Sequence, residues 1–246
     1  YLLICYYYVI TILLVLKKIL NKYIMEKRFA NFKNRKYKQD IEKIELKILQ
    51  NIKNNFSYRG VEFLKDPYSQ IMYKKLITEM KPKTIIELGT WKGGSALYFN
   101  DICNLLKLDT KIYTFDINTE QVKVKNNENI IVGKYVAGEP KKYLEKTFKN
   151  LKHPVLITED AHRGIPELLL FVDKYLKVGD YIVVEDTFEY IMDSNSRNSQ
   201  KLYKKYFDFM ENNKSFTDRY YVDSKYCDLI GYNSTWNSNS ILKKIK

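Results

Sequence analysis

From Thr84 to Leu88 the chain runs Thr-Ile-Ile-Glu-Leu, a compact apolar stretch of β-forming residues. A glycine-rich loop follows at once, then apolar residues at helical spacing from Ser95 to Leu106. The order is strand, loop, helix. Lys111 to Ile117, Asn129 to Val132, Pro154 to Thr158 and Asp180 to Val184 predict further strands, and Lys141 to Asn150 and Pro166 to Leu176 predict helices between them. Such alternation implies an α/β fold with a mostly parallel sheet.

Upstream, Ile41, Ile44, Leu46, Ile48, Leu49 and Ile52 recur among Lys and Glu, which predicts an amphipathic helix within Tyr37 to Asn55. The irregular stretch FSYRGVEFLKDP comes next, and its Asp66-Pro67 marks the start of a helix over Tyr68 to Met80 that Pro82 separates from the first strand. Downstream lie a polar stretch, DSNSRNSQ from Asp193, and a helix near Leu202 to Asn212. Two last runs, Phe216 to Val222 and Cys227 to Tyr232, are expected to pair as an antiparallel hairpin. No internal repeat is present, and one domain is the simplest division.

A chain of 246 residues, 45% apolar and 15% aromatic, has the means for a packed core and is not the composition of a disordered protein. Charge is uneven. Between Lys17 and Arg59 there are thirteen Lys and Arg against four Asp and Glu, so most of the net charge of +13 lies there. Such a segment can meet anionic lipid headgroups or RNA phosphates, or can simply be a solvated basic helix. Tyr1 to Leu16 carries no charge and as a helix would span about 24 Å, short of a hydrocarbon core of about 30 Å. With Lys17, Lys18 and Lys22 behind it, it is either a membrane anchor that leaves the rest in the cytoplasm or, since the first methionine is Met25, part of a fragment or of untranslated upstream sequence. The expected division is therefore 1–16 as anchor or artefact, 17–55 as a basic helical segment and 56–246 as the catalytic domain. Cys5, Cys103 and Cys227 lack the spacing of a disulfide framework or a zinc site.

The segment IIELGTWKGGS, Ile85 to Ser95, puts Gly89, Gly93 and Gly94 where a buried strand turns into a helix, so backbone N–H groups can approach a ligand closely. It is not a Walker A loop, because Ser95-Ala96 stands where Lys-Ser/Thr is required, nor GxGxxG, because Trp91 takes the second glycine's place. Glu87 at the strand end would repel a pyrophosphate and suits a cofactor with positive charge, such as a sulfonium bearing an amino group. Asp116, ending the next strand in YTFDIN, can accept both hydroxyls of a ribose. Asp160 in ITEDAH and Glu185-Asp186 in VVEDT also end apolar strands, at the edge where open α/β sheets bind ligands. Gathered there, three carboxylates repel one another unless a hard cation lies between them, Mg²⁺ first and Mn²⁺ second. Each acid alone is equally well a helix cap or a solvated loop residue. His162 is a candidate base for the catalytic step, or a supporting partner.

With these motifs in hand, the stretches FSYRGVEFLKDPYSQIMYKKLI, KPKTIIELGTWKGGSALYFNDI, HPVLITEDAH and GDYIVVEDT resemble the cephalosporin hydroxylase/rhamnosyl O-methyltransferase family, from about Phe56 to the C-terminus. The resemblance implies a Rossmann-like methyltransferase fold: a mostly parallel seven-stranded sheet with an antiparallel C-terminal strand, preceded here by N-terminal helices. It implies S-adenosylmethionine as cofactor, held by Glu87, Gly89 and Gly94 and by Asp116, with Thr90, Gly93 and Ser95 in the same loop. It also implies a Mg²⁺ site on Asp160, Glu185 and Asp186. One departure is VGKYVAGEP, which replaces the small polar turn usual near the adenine and bears on Gly138 and Glu139.

The activity so implied is methylation of a hydroxyl on a sugar, glycoconjugate or other small molecule, with assembly into a homo-oligomer also compatible. Competing readings are a membrane-tethered or RNA-binding protein on the same fold, and a non-haem iron hydroxylase. The hydroxylase needs two histidines beside a carboxylate, and the chain has only His153 and His162. RNA binding is disfavoured because the basic excess lies outside the catalytic body.

Overall fold

A computed structural model describes residues 28–188 and 197–246. The expected anchor Tyr1–Leu16, the basic residues up to 27 and much of the polar stretch from Asp193 lie outside the described residues. The strands are β1 (Phe29–Ala30), β2 (Ser57–Tyr58), β3 (Val61–Glu62), β4 (Thr84–Leu88), β5 (Lys111–Asp116), β6 (Ile130–Lys134), β7 (Val155–Glu159), β8 (Tyr181–Val184), β9 (Tyr220–Asp223) and β10 (Ile241–Lys244). The helices are α1 (Lys43–Asn54), α2 (Pro67–Met80), α3 (Gly94–Leu105), α4 (Pro140–Phe148), α5 (Ile165–Val172), α6 (Arg197–Asn212), α7 (Lys214–Thr217) and α8 (Ser224–Cys227).

The main sheet runs β1-β9-β10-β8-β7-β4-β5-β6, parallel from β8 through β6, with β10 antiparallel to both its neighbours. This is the expected seven-stranded sheet with an antiparallel C-terminal strand, and the two residues of β1 add an eighth strand by pairing with β9. Every residue of β4, β7 and β8 is buried, as befits strands covered on both faces. Register sets the site. Leu88 pairs with both Phe115 and Glu159, and Glu159 with Val184, so the carboxyl ends of β5, β4, β7 and β8 finish level.

Local chemistry explains the element starts. Asp66 accepts the backbone N–H groups of Tyr68 and Ser69, and Pro67 occupies the first turn of α2, where its missing N–H costs nothing. The helix expected within Tyr37 to Asn55 begins only at Lys43, where Glu42 and Glu45 form a reciprocal capping box. α3 opens without a side-chain cap after Gly93, at φ +95°, so its first N–H groups are free for a ligand.

The expected hairpin of Phe216 to Val222 with Cys227 to Tyr232 does not form. Phe216 lies in α7, Cys227 ends α8, and β9 pairs instead with β10. The polar run Asn233 to Ser240 looks like surface, yet it is buried. Arg35 explains this: its guanidinium donates to both Asp228 oxygens, to Asn239 and to Asn233, while Asn233 and Asn239 donate to the Lys36 carbonyl. The N-terminal segment thus satisfies a buried polar loop.

Candidate active site

At the level carboxyl ends lies a cavity of about 480 Å³. Gly89, Thr90, Gly94, Ser95 and Asp116 line it, and so do Asp160, His162 and Asp186. The nucleoside-type residues and the ionisable cluster therefore share one space. The remaining expected residues stand elsewhere. Gly93 carries the turn against Val124, Gly138 opens on a separate surface groove, Glu87 is buried beneath the loop, and Glu185 is turned inward.

The glycines allow close approach of backbones. A Cβ on Gly89, whose φ is +102°, would lie 2.6 Å from the Asp160 carbonyl oxygen, and one on Gly94 would lie 2.3 Å from that of Glu62. The first contact seats the cofactor loop against β7; the second seats it against the β2–β3 hairpin. Asp116 accepts from the backbone N–H groups of Trp91 and Asn118, which fixes the loop to β5. Beneath it, Thr90 donates to Thr114 at 2.6 Å, and Thr114 donates to Glu87 at 2.5 Å. Burial pushes the Glu87 carboxyl up to about 7, although Lys65 and hydrogen bonds from Ser95 and Thr114 pull the other way.

His162 Nε2 lies 3.1 Å from Asp160 Oδ1 and 3.4 Å from Asp186 Oδ2. One ligand atom from each of these three residues falls within 4.8 Å of the others. Burial works against charge on both aspartates, yet the cations of Lys65 and His162 hold Asp160 below the usual range, and those of Lys53 and His162 do the same for Asp186. Burial also opposes the His162 imidazolium, and the hydrogen bonds and charges of Asp160 and Asp186 outweigh it, keeping that ring well above ordinary histidine. Glu185 has different company. Its carboxylate meets Lys65 at 2.7 Å and accepts from Tyr73 at 2.6 Å and Thr158 at 2.5 Å, and burial together with repulsion from Asp160 raises its pKa.

Residues 50–226 match the family described as Rhamnosyl O-methyltransferase/CmcI. The chain belongs to this family. Among its curated members, rhamnosyl O-methyltransferase of Mycobacterium tuberculosis is 22% identical over 138 residues, covering 53% of this chain and 56% of the relative. That of Mycobacterium leprae is 23% identical over 141 residues, covering 54% and 61%. The matched segment thus spans less than two thirds of either relative. Two CmcI structures of the family superimpose with the same architecture. The apo form is 22% identical with a TM-score of 0.64, over 78% of this chain and 77% of that one. A Mg-SAM form is 25% identical with a TM-score of 0.62, over 78% of each. The fold is accordingly the Rossmann-like one of O-methyltransferases.

Against the family motifs, two site residues had no signal in the sequence. Lys65 lies 2.5 Å from Asp160, and Lys53 of α1 lies 3.4 Å from Asp186 and 5.1 Å from the Trp236 ring. Both are far in sequence from their partners; Lys53 looks like an ordinary member of the basic segment, and Lys65 like a surface lysine. The two histidines do not come together: His153 binds Asp180 ahead of β7, whereas His162 follows that strand's carboxyl end. A two-histidine iron triad is not assembled. Among the described residues, no helix is long and apolar enough to cross a membrane.

Proposed function

We propose that the protein is an S-adenosylmethionine-dependent O-methyltransferase, assisted by a divalent cation, whose acceptor is a hydroxyl of a sugar or glycoconjugate. The observation that carries this reading is the single cavity lined by both the glycine loop with Asp116 and the Asp160, His162 and Asp186 cluster. The residues fit both guests. Two aspartates held ionised beside one imidazole are a donor set for a divalent ion. The spaces that a Cβ would fill at Gly89 and Gly94, with the uncapped start of α3, leave backbone for a cofactor to approach.

The family membership and the names of its members support the reaction class and the sugar acceptor. The Mg-SAM form of CmcI supports the pairing of cofactor and ion. Methyl transfer from a sulfonium is an in-line displacement, so the protein's task is alignment of acceptor oxygen, methyl carbon and sulfur. When bound, the ion supplies a lowered acceptor pKa and S-adenosylmethionine supplies the methyl group. Asp116 would accept the ribose hydroxyls. Asp160 and Asp186 hold the ion, with Glu185 behind them fixing Lys65. Beside Asp186, Asn237 accepts its backbone N–H at 3.3 Å.

Calorimetry with S-adenosylmethionine, with and without Mg²⁺, followed by mass spectrometry of rhamnosyl glycosides for the gain of one methyl group, tests the proposal. Binding of the cofactor and a methylated glycoside that vanishes in excess EDTA are expected. Absence of cofactor binding would reject the enzyme reading, and full activity in EDTA would reject the metal's part.

A further inference from the structure

On the sheet edge opposite the active site, we infer a second binding site, for a small oxyanion of the phosphate kind, held between Lys243 and Arg28 in a cavity of about 250 Å³. Pro154, just ahead of β7, and Gly179, just ahead of β8, line this cavity. It therefore stands at the amino ends of the strands whose carboxyl ends carry Asp160 and Asp186.

Sheet register brings the first cation there. β10 runs antiparallel to β8 and pairs Lys243 with Tyr181, the first residue of that strand. The Lys243 ammonium lies 4.9 Å from the Phe29 ring centre and 5.5 Å from that of Tyr181. Ring faces attract a cation but do not neutralise it. Among the described residues no carboxylate pairs with this ammonium. Burial, and then repulsion from Arg28, push its pKa below the ordinary lysine value, against the pull of Asp223.

The charges around the cavity do not balance. Three cations, Arg28, Lys225 and Lys243, stand with two carboxylates, Asp223 and Glu79. Asp223 takes Nε and Nη2 of Arg28 at 2.8 and 2.6 Å. Glu79 is engaged by Lys225 at 2.6 Å, by the Tyr226 hydroxyl at 2.9 Å and, at 3.7 Å, by Arg28. Asp180, near the same strand ends, is spent on His153 and on the backbone N–H groups of Val155 and Lys177. One positive charge is left over, and it borders the cavity. Arg28 Nη1 also has no acceptor among the described residues.

Two partly desolvated cations beside one space repel each other, and a guest carrying negative charge removes that cost. An oxyanion with several acceptor oxygens can take donors from both sides at once, whereas a neutral guest leaves the repulsion in place. Pockets for drug-sized ligands run from about 300 to 1,000 Å³. The smaller volume here restricts the guest to an ion or a short phosphate ester.

The experiment is protection of lysines from acylation, read by peptide mass spectrometry on the full chain in inorganic phosphate, in glucose 1-phosphate and in sodium chloride of matched ionic strength. Acylation of Lys243 should slow about tenfold or more in saturating phosphate or ester, with no change at the exposed Lys107. The better protector tells whether a free ion or an ester is the guest. Equal rates at Lys243 in chloride and in both phosphates would overturn the inference. In calorimetry, Lys243→Met should weaken phosphate binding about tenfold or more and keep wild-type affinity for S-adenosylmethionine, which also shows that the variant is folded. Phosphate binding that persists unchanged in this variant would put the anion elsewhere and equally overturn the inference. The protection measurement decides on the wild type, without any variant having to fold.

Discussion

The ammonium of Lys65 lies 2.7 Å from a carboxylate oxygen of Glu185, and both side chains are only 4% exposed. The same ammonium lies 2.5 Å from Asp160. Charges this deep are tolerable only together, because each alone would carry a desolvation cost that its partners now offset. Lys65→Met should therefore destabilise the protein by about 3–5 kcal/mol in denaturant unfolding, by leaving buried acids without their cation. Adding Glu185→Gln to it should recover part of that loss, because the pair is coupled. Losses that simply add would show that Lys65 and Glu185 do not depend on each other.

Gly89 and Gly138 both have positive φ, +102° and +91°, but a Cβ meets backbone at the first and open space at the second. Gly138→Ala should then cost only the conformational term, about 1 kcal/mol. Gly89→Ala must also push the Asp160 carbonyl away, and should cost a further 1–3 kcal/mol, roughly, with at least a tenfold weaker binding of S-adenosylmethionine. Calorimetry on the two variants separates these outcomes. Equal cofactor affinities would mean that the close seating of the loop on β7 is not needed for binding.

The Arg35 side chain is 6% exposed, and its fork reaches Asp228 and two residues of the buried C-terminal loop, Asn233 and Asn239. Arg35→Ala should lower stability by about 2–3 kcal/mol, through unsatisfied buried polar groups. Arg35→Lys should rescue little, since an ammonium cannot reproduce the two-pronged bond to Asp228. Full rescue by lysine would show that only the charge matters.

Much of this arrangement could be read in the sequence, and the reasons differ residue by residue. The parallel strands were legible because burial on both faces leaves near-continuous apolar runs, as in Thr84–Leu88 and Tyr181–Val184. Asp116, Asp160 and Asp186 were legible as acids at the ends of such runs. What escaped depends on distant partners. Lys65 reads as one more surface lysine until Asp160 and Glu185 surround it, and Asn233 to Ser240 reads as a loop until Arg35 folds over it. The β9–β10 pairing escaped for a similar reason. The apolar residues from Cys227 suggested a strand, while a buried polar segment lay between the true partners.

Glu87 gives a pH dependence whose sign can be worked out. Burial is the main cause of its rise from 4.5 to about 7. Between those values the folded protein keeps a proton that the unfolded chain releases, so ionisation favours the unfolded state and stability falls as pH rises through that window. Below it both states are protonated and no penalty applies; above about 7 the penalty is complete, at about 3 kcal/mol. Glu87→Gln removes this titration and keeps an acceptor for the Thr114 hydroxyl. The stability difference between variant and wild type should therefore grow in the variant's favour by about 3 kcal/mol on going from about pH 5 to about pH 8. Glu159, also raised to about 7 by burial, titrates in both proteins and cancels in the comparison. Urea unfolding across this range is the measurement. A difference that stays flat would mean that Glu87 is ionised throughout, with Lys65 and the hydroxyls of Ser95 and Thr114 outweighing its burial.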